Sequence, residues 1–288
     1  MQNLPVIFGI STYQLTEAEI DLFKSSSPYG IILFGRNIQN LRQTYNLCQS
    51  IKAIDPRIKI LIDEEGGRVT RLKNIYPEIL PAAASLNNEA DKIIACYKEM
   101  AVRLKKLGID VCCAPVADLG QAITHEIIGD RAFSDEPEKV IASAGLASQT
   151  LLDQHILPVI KHLPGHGRAK ADSHLELPRI TTNLRELLAT DFKIFAQLNQ
   201  FPLAMTAHII YDALDPELPV TLSKKALKFI REELNYQGKI MTDDLNMLAL
   251  AKYDLASRVN LALEAGCDLI LHCNGVYQEI LEITKLLK

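Results

Sequence analysis

Several features of secreted, nucleotide-binding and nucleic-acid-binding proteins are missing from this sequence. It has no pair of cysteines separated by two residues, no G-x-G-x-x-G turn and no basic excess, with 31 Lys+Arg against 35 Asp+Glu. A dinucleotide-binding turn and a nucleic-acid partner are therefore not expected. The amino terminus lacks a basic segment followed by an apolar one, and no apolar run approaches the roughly 18 residues of a membrane span. We expect a cytoplasmic protein with no membrane partner.

Cysteine is present, but not in the pattern of a disulfide scaffold. The chain has 6 cysteines in 288 residues, which is far longer than the small secreted domains that disulfides stabilise. Cys112 and Cys113 lie inside an apolar run, where cysteine behaves as a small hydrophobic residue. Free thiols are expected.

The composition is that of a globular protein. With 48% hydrophobic and 23% charged residues, the chain can bury a large core. Its length fits either one α/β barrel or two smaller domains. No linker, low-complexity segment or shift of composition divides it, so we expect one catalytic domain over residues 1–288.

Short apolar runs alternate with longer segments of helical periodicity. Eight runs of strand length are almost continuously apolar, as strands buried on both faces require; they are residues 6–10, 30–34, 58–62, 111–115, 157–161, 203–207, 239–242 and 268–272. The predicted helices are residues 16–24, 41–53, 88–107, 137–154, 184–198, 223–234, 249–265 and 276–287. Eight repeats of strand and helix predict a single (β/α)8 barrel of the TIM type, in which chemistry takes place where strands end.

The richest polar segment follows the strand at 157–161. Three of the seven histidines, His162, His166 and His174, lie within thirteen residues there. Asp172 stands two residues before His174, so its carboxylate can hydrogen-bond the imidazole and make a general acid/base near neutral pH. The alternative is that these are ordinary histidines of a surface loop.

A second signal is the pair Asp243 and Asp244 at the end of the strand at 239–242. One carboxylate can cap the next helix or pair with a cation, while the other projects into the mouth of the barrel. The projecting carboxylate would act as a nucleophile or as a metal ligand. These residues alone do not say which aspartate has which role.

Other strand ends mix hydrogen-bond donors and acceptors, as a neutral, hydroxyl-rich ligand would require. These residues are Asp63, Arg131, Lys161, His162 and His208. For each of them, a buried salt bridge or a capping role is an equal alternative. Arg68 and Arg71 can also pair with the neighbouring Glu64 and Glu65.

Together these motifs resemble those of the family 3 glycoside hydrolases, and within that family those of the bacterial β-N-acetylhexosaminidases. The resemblance is carried by KHLPGHG at 161–167, DSH at 172–174, TDDLNM at 242–247, DEEGGR at 63–68 and IGDRAF at 128–133. It implies a (β/α)8 barrel that removes terminal non-reducing N-acetyl-β-D-glucosamine by a retaining mechanism. Peptidoglycan recycling is the implied role, with a muropeptide or a chitobiose-like sugar as substrate.

The resemblance also implies roles for particular residues. Asp243 matches the catalytic nucleophile, and His174 with Asp172 matches the acid/base pair. The implied sugar-binding positions are Asp63, Arg71, Arg131, Lys161, His162 and His208. Neither a cofactor nor a metal is implied, and we expect a monomer or a weak homodimer.

Two other kinds of enzyme stay open. A phosphorylase of the same family would use phosphate in place of water. A metal-dependent barrel hydrolase would use the histidines together with Asp243 as ligands.

Overall fold

A computed structural model of the chain describes residues 3–120, 128–169 and 177–288. Its sheet strands are β1 (Leu4–Gly9), β2 (Pro28–Leu33), β3 (Lys59–Ile62), β4 (Val111–Cys112), β5 (Leu157–Pro158), β6 (Ile160–Leu163), β8 (Leu203–Thr206), β10 (Lys239–Asp244) and β11 (Leu269–His272). A separate two-stranded sheet pairs β7 (Arg179–Ile180) with β9 (Ile210–Tyr211).

The nine-stranded sheet closes into a barrel of eight strand positions. All its pairs are parallel, and its order is β5-β4-β3-β2-β1-β11-β10-β8-β6. β5 and β6 are separated only by Val159, so they are the two halves of one barrel strand. The first half pairs with β4 and the second with β8, which joins the two edges of the sheet. The predicted (β/α)8 fold is confirmed, and each of the eight predicted strands overlaps an observed barrel strand.

The helices surround this barrel. They are α1 (Glu17–Ser26), α2 (Leu41–Ile54), α3 (Ala90–Leu107), α4 (Pro137–Asp153), α5 (Leu184–Ala189), α6 (Asp191–Gln197), α7 (Lys224–Glu232), α8 (Leu255–Ala265) and α9 (Tyr277–Leu286). Thr16 and Glu19 form a reciprocal capping box at the start of α1, as the pattern Thr-x-x-Glu predicts. Among the described residues, none of the helices has the length and apolar character needed to cross a membrane.

Two predicted helices differ from the structure. The helix expected at 184–198 is divided into α5 and α6 at Thr190, whose φ of −129° and ψ of −96° are not helical. The helix expected at 249–265 begins only at Leu255. Asp254 caps it by accepting a hydrogen bond from the Ser257 amide, and a short 3-10 turn precedes it.

The strand side chains divide between two cores. Alternate residues point into the barrel, where Ile7, Ile32 and Leu61 belong to one buried cluster. Their neighbours Val6 and Phe8 point outward, into the larger cluster between the sheet and the helices. Inward-pointing residues of all eight barrel strands fill the interior, so a ligand cannot lie inside the barrel, and the fold favours a site at the mouth, where the strands end.

The first and last strands meet closely at that mouth. A Cβ on Gly9 would lie 2.2 Å from the carbonyl oxygen of Cys273 and 2.9 Å from a guanidinium nitrogen of Arg36. Arg36 donates to the carbonyl oxygens of both Ile10 and Cys273. Glycine is therefore required at position 9 for this seam to close.

Candidate active site

A cavity opens at the carboxyl ends of the barrel strands. It encloses about 720 Å³ of empty space, a figure that includes its opening to solvent. Residues from seven of the eight barrel strands or the loops that follow them line it. They are Ile32, Phe34, Asp63, Arg71, Cys113, Ile128, Arg131, Lys161, His162, His166, Met205, Asp243, Asp244, Met247, Leu271 and Cys273.

Asp243 lies near the end of β10 and faces this cavity. Its Oδ1 accepts a hydrogen bond from the Asp244 amide at 2.8 Å. Burial would raise the pKa of Asp243, but the neighbouring His162 and His208 rings, this amide and Lys161 together hold the pKa below its ordinary value. The carboxylate is therefore ionised at neutral pH, as a nucleophile must be.

Asp244 anchors the strand end instead of facing a ligand with a free carboxylate. Its Oδ1 accepts hydrogen bonds from the Asn246 amide at 3.1 Å, the Asn246 side chain at 3.0 Å and the Cys273 amide at 3.1 Å. Because Cys273 follows β11, these bonds tie the end of β10 to its neighbouring strand. The position of Asp243 is fixed through the residue beside it.

Asp63, Arg71 and Lys161 form one side of the cavity. The Asp63 carboxylate lies 2.5 Å from Lys161 Nζ and 2.7 Å from an Arg71 nitrogen. Burial would raise the pKa of Asp63, but these two cations lower it. The possibility that Arg71 pairs with Glu64 or Glu65 is wrong, and Glu64 instead accepts from the Arg71 amide at 2.6 Å.

Arg131 and Lys161 share a second carboxylate, Glu65. The Arg131 guanidinium makes two hydrogen bonds to Glu65, of 2.7 and 2.9 Å, and Lys161 Nζ lies 2.5 Å from its Oε1. Side chains of both Glu65 and Lys161 are at most 6% exposed. Sequence reasoning gave Glu65 only as a possible partner of Arg68 or Arg71, not as a partner of Arg131 and Lys161. The alternation Asp63-x-Glu65 was the available signal, because residues two apart on an extended segment face the same side.

Asp118 stands at a predicted strand end facing the mouth of the barrel, but sequence reasoning gave it no particular role. It follows β4 and is fully buried, and its Oδ2 lies 2.6 Å from Nδ1 of His162. Its Oδ1 accepts from the amides of His162 at 3.1 Å and His166 at 2.6 Å. The segment that carries both histidines is therefore held by one carboxylate.

His208 does not lie among the residues that line the cavity. It is 1% exposed, with Nδ1 2.7 Å from the Thr221 hydroxyl and Nε2 3.0 Å from the Asp244 carbonyl oxygen. Both ring nitrogens therefore have partners within the protein. This arrangement supports the end of β10 from behind, so the expected sugar contact of His208 has no counterpart in the described part of the chain.

Asp172 and His174 lie outside the described residues, so their pairing stays a prediction. The segment that leads to them is firmly attached: Arg168 contacts Asp191 at 2.7 Å and Glu186 at 2.7 Å. Asp191 is fully buried at the start of α6.

Apolar side chains also line the cavity. They include Ile32, Met205, Leu271 and Met247, and the Phe34 ring lies 5.6 Å from the Arg71 guanidinium. A lining that combines charged hydrogen-bonding groups with apolar side chains suits a sugar, which has polar edges and apolar C–H faces. Within the described ranges, no cluster of three or more His, Cys, Asp or Glu residues is arranged to hold a metal ion.

Comparison with known proteins agrees with this geometry. A family model described as the N-terminal domain of glycosyl hydrolase family 3 matches residues 9–288. A β-hexosaminidase of Pseudomonas aeruginosa (strain LESB58) is 37% identical over 266 residues, which cover 90% of this chain and 79% of that protein. A β-hexosaminidase of Alkalilimnicola ehrlichii is 38% identical over 283 residues, which cover 94% and 80%.

Solved structures give the same answer. NagZ from Neisseria gonorrhoeae, in complex with N-trifluoroacetyl-D-glucosamine, superposes with a TM-score of 0.90 at 32% identity, covering 100% of this chain and 86% of that chain. The resemblance inferred from the motifs is confirmed. The chain therefore belongs to glycosyl hydrolase family 3 and is a glycosidase.

Proposed function

We propose that this chain removes terminal non-reducing N-acetyl-β-D-glucosamine with retention of configuration. One observation carries the proposal: an ionised, cavity-facing Asp243 lies in the same cavity as Asp63, Lys161, Arg71 and Arg131. An anionic carboxylate beside groups that can bind hydroxyls supports this assignment of the nucleophile. The related β-hexosaminidases and the amino-sugar complex of the gonococcal protein support the choice of sugar.

In the first step, a carboxylate oxygen of Asp243 bonds to the anomeric carbon while the glycosidic C–O bond breaks. The His174 imidazolium gives its proton to the departing oxygen. In the second step, neutral His174 takes a proton from water, whose oxygen displaces Asp243 from the anomeric carbon. Asp172 holds the imidazole and stabilises its cationic form. The sugar leaves with its original anomeric configuration.

The cavity offers complementary groups for sugar hydroxyls. Asp63 accepts hydrogen bonds, while Lys161, Arg71 and Arg131 donate them. The ion pairs among these groups fix their positions before substrate binds, so little reorganisation is needed. His162 completes the polar side of the cavity.

For the physiological substrate, we propose a muropeptide of peptidoglycan recycling, with a chitobiose-like sugar as a simpler substrate. We further propose a single catalytic domain over residues 1–288 that acts in the cytoplasm as a monomer or a weak homodimer. All six cysteines are free and buried, which suits a reducing compartment.

Trapping the covalent intermediate tests the proposal. The enzyme is incubated with a 5-fluoro glycosyl fluoride of N-acetylglucosamine, digested and analysed by mass spectrometry. We expect the label on Asp243 of the peptide that contains Asp243 and Asp244, and proton NMR of the first product should show the β anomer. A label on another residue, or a first product of α configuration, would contradict the mechanism.

The same preparation separates the rival enzymes. A phosphorylase would form N-acetylglucosamine 1-phosphate and would slow when phosphate is removed. A metal-dependent hydrolase would lose activity on exhaustive dialysis against a chelator and regain it with metal. We expect hydrolysis that is independent of both treatments.

A further inference from the structure

Asp118 and His162 form a buried carboxylate–imidazole pair that the proposed reaction steps do not use. Asp118 is fully buried, and its pKa is lowered: burial would raise it, but the His162 ring and the amide donors outweigh that effect. Both of its oxygens are occupied, Oδ2 by His162 Nδ1 and Oδ1 by two backbone amides. An ionised carboxylate can only accept hydrogen bonds, so His162 Nδ1 must carry the proton.

The second ring nitrogen of His162 is then defined as well. In the neutral imidazole, Nε2 has a lone pair and no proton, and the ring lines the sugar-binding cavity. The neighbouring Lys161, Arg71 and Arg131 present only donors to a ligand. His162 Nε2 therefore adds an acceptor on the side of the cavity where cations predominate.

We propose that Asp118 is a positioning residue that fixes the Nδ1–H tautomer of His162, so that Nε2 accepts a hydrogen bond from one hydroxyl of the substrate sugar. The inference rests on the proposed function for the identity of the ligand, but the tautomer itself is independent of any activity. An accepting Nε2 would distinguish a hydroxyl group, which can donate a hydrogen bond, from fluorine, which cannot.

Asp118→Asn is a sharp test because it preserves shape. The amide oxygen of the new side chain is required by the backbone amides of His162 and His166. Its NH2 group must then face His162 Nδ1, which forces the proton to Nε2 and reverses the polarity that His162 presents to the cavity.

Nitrogen-15 NMR of histidine-labelled protein at pH 8.5 reads the tautomer directly, with His162→Gln used to assign the signals. We expect a protonated Nδ1 and an unprotonated Nε2 in the wild type, and the reverse in Asp118→Asn. A proton on Nε2 of the wild type would overturn the proposal, and this measurement stands even if the variant does not fold.

Kinetics supply the functional half of the test. With 4-nitrophenyl N-acetyl-β-D-glucosaminide, Asp118→Asn should lower kcat/KM about 10- to 100-fold, because a donor then meets a donor. Monodeoxy and monofluoro substrates identify the hydroxyl involved. At one position of the sugar, replacing the hydroxyl with fluorine should lower kcat/KM of the wild type as much as replacing it with hydrogen does. In Asp118→Asn, the fluoro substrate should retain a higher kcat/KM than the deoxy substrate. Equal discrimination by the two proteins at every position would overturn the proposal.

Asp215→Asn is the matched control. Asp215 is a 5% exposed carboxylate that also accepts two backbone amides, those of Glu217 and Leu218, but it is not among the cavity residues. We expect wild-type kinetics and a wild-type His162 spectrum from this variant. If the chain does not hydrolyse N-acetylglucosaminides at all, the proposed function fails, while the NMR result still decides the tautomer.

Discussion

The Lys161 ammonium lies 2.5 Å from the Asp63 carboxylate, which joins the end of β6 to the end of β3 across the mouth of the barrel. The same ammonium lies 2.5 Å from Glu65. Burial would lower the pKa of Lys161, but these two carboxylates raise it above its ordinary value. Together with Arg71 and Arg131, this shared cation makes it possible for two nearby carboxylates to stay ionised where they would otherwise repel each other.

We therefore expect Lys161→Met to destabilise the protein by about 3–5 kcal/mol, because it leaves the buried Glu65 and the partly buried Asp63 without their shared partner. Urea unfolding followed by circular dichroism measures this change. Lys92→Met is the matched control: its pair with Glu89 is about half exposed on both sides, so the unfolding midpoint should stay unchanged. Equal midpoints for Lys161→Met and wild type would contradict the role of Lys161.

Asp243 and Asp244 should differ in what they support. Asp243→Asn is expected to lower kcat by at least about 10⁴-fold without loss of folded protein, since it removes the proposed nucleophile from the cavity. Asp244→Ala should instead destabilise the protein by about 1–3 kcal/mol, because three donors lose their acceptor. Steady-state kinetics and thermal unfolding of both variants test this division. Similar activity losses with unchanged stability would contradict it.

His174→Ala should reveal the acid/base role through the leaving group. We expect kcat/KM to fall about 10²- to 10⁴-fold with an alkyl N-acetylglucosaminide, because the departing oxygen then has no proton donor. A 2,4-dinitrophenyl leaving group departs without a proton. With a glycoside that carries it, the first step in His174→Ala should therefore have a rate closer to that of the wild type. Asp172→Asn should show the same pattern with a smaller loss. A loss that does not depend on the leaving group would argue against this role.

His166 should make stability depend on pH. Burial, followed by the neighbouring His162 ring, lowers the pKa of His166 to about 4, against about 6.5 in the unfolded chain. Between these values the unfolded chain binds a proton that the native protein does not. This contribution is therefore complete above pH 6.5, and it is lost as the pH falls toward 4, by up to about 1.4 kcal/mol per pH unit.

The measurement is the free energy of unfolding between pH 7 and pH 4, in wild type and in His166→Asn. We expect a shallower slope in the variant. His155→Asn is the control, because His155 is exposed and its φ of 61° is one that asparagine adopts readily. Parallel curves for wild type and His166→Asn would show that His166 titrates normally.

Much of the fold could be predicted because the sequence encodes it locally. Apolar runs of strand length mark every barrel strand, and Thr16 and Glu19 mark the start of α1. The break at Thr190 could not be predicted, because the apolar periodicity continues on both sides of it. The small β7–β9 sheet was also missed, since two-residue strands leave too short a pattern to detect.

Residues that line the cavity could be picked out from the sequence where they stand at strand ends in recognisable motifs. Asp63, Lys161 and Asp243 are examples. Glu65 and Asp118 also stand at predicted strand ends, but their roles could not be predicted, for a physical reason. Their function is to hold other side chains, and their partners are 66 and 44 residues away in sequence. Such contacts exist only after the strands have assembled. His208 is a similar case: the sequence suggested a sugar contact, whereas in the structure its ring nitrogens contact Thr221 and Asp244.

The pairing of β1 with β11 also sets an order of events during synthesis. A ribosome makes β1 long before β11, and one edge of β1 has no partner until β11 emerges. The Cys273 amide that holds Asp244 is made just after β11. In a nascent chain, the residues proposed to bind the sugar are therefore made first, and the proposed nucleophile is held in place only once β11 has joined the barrel.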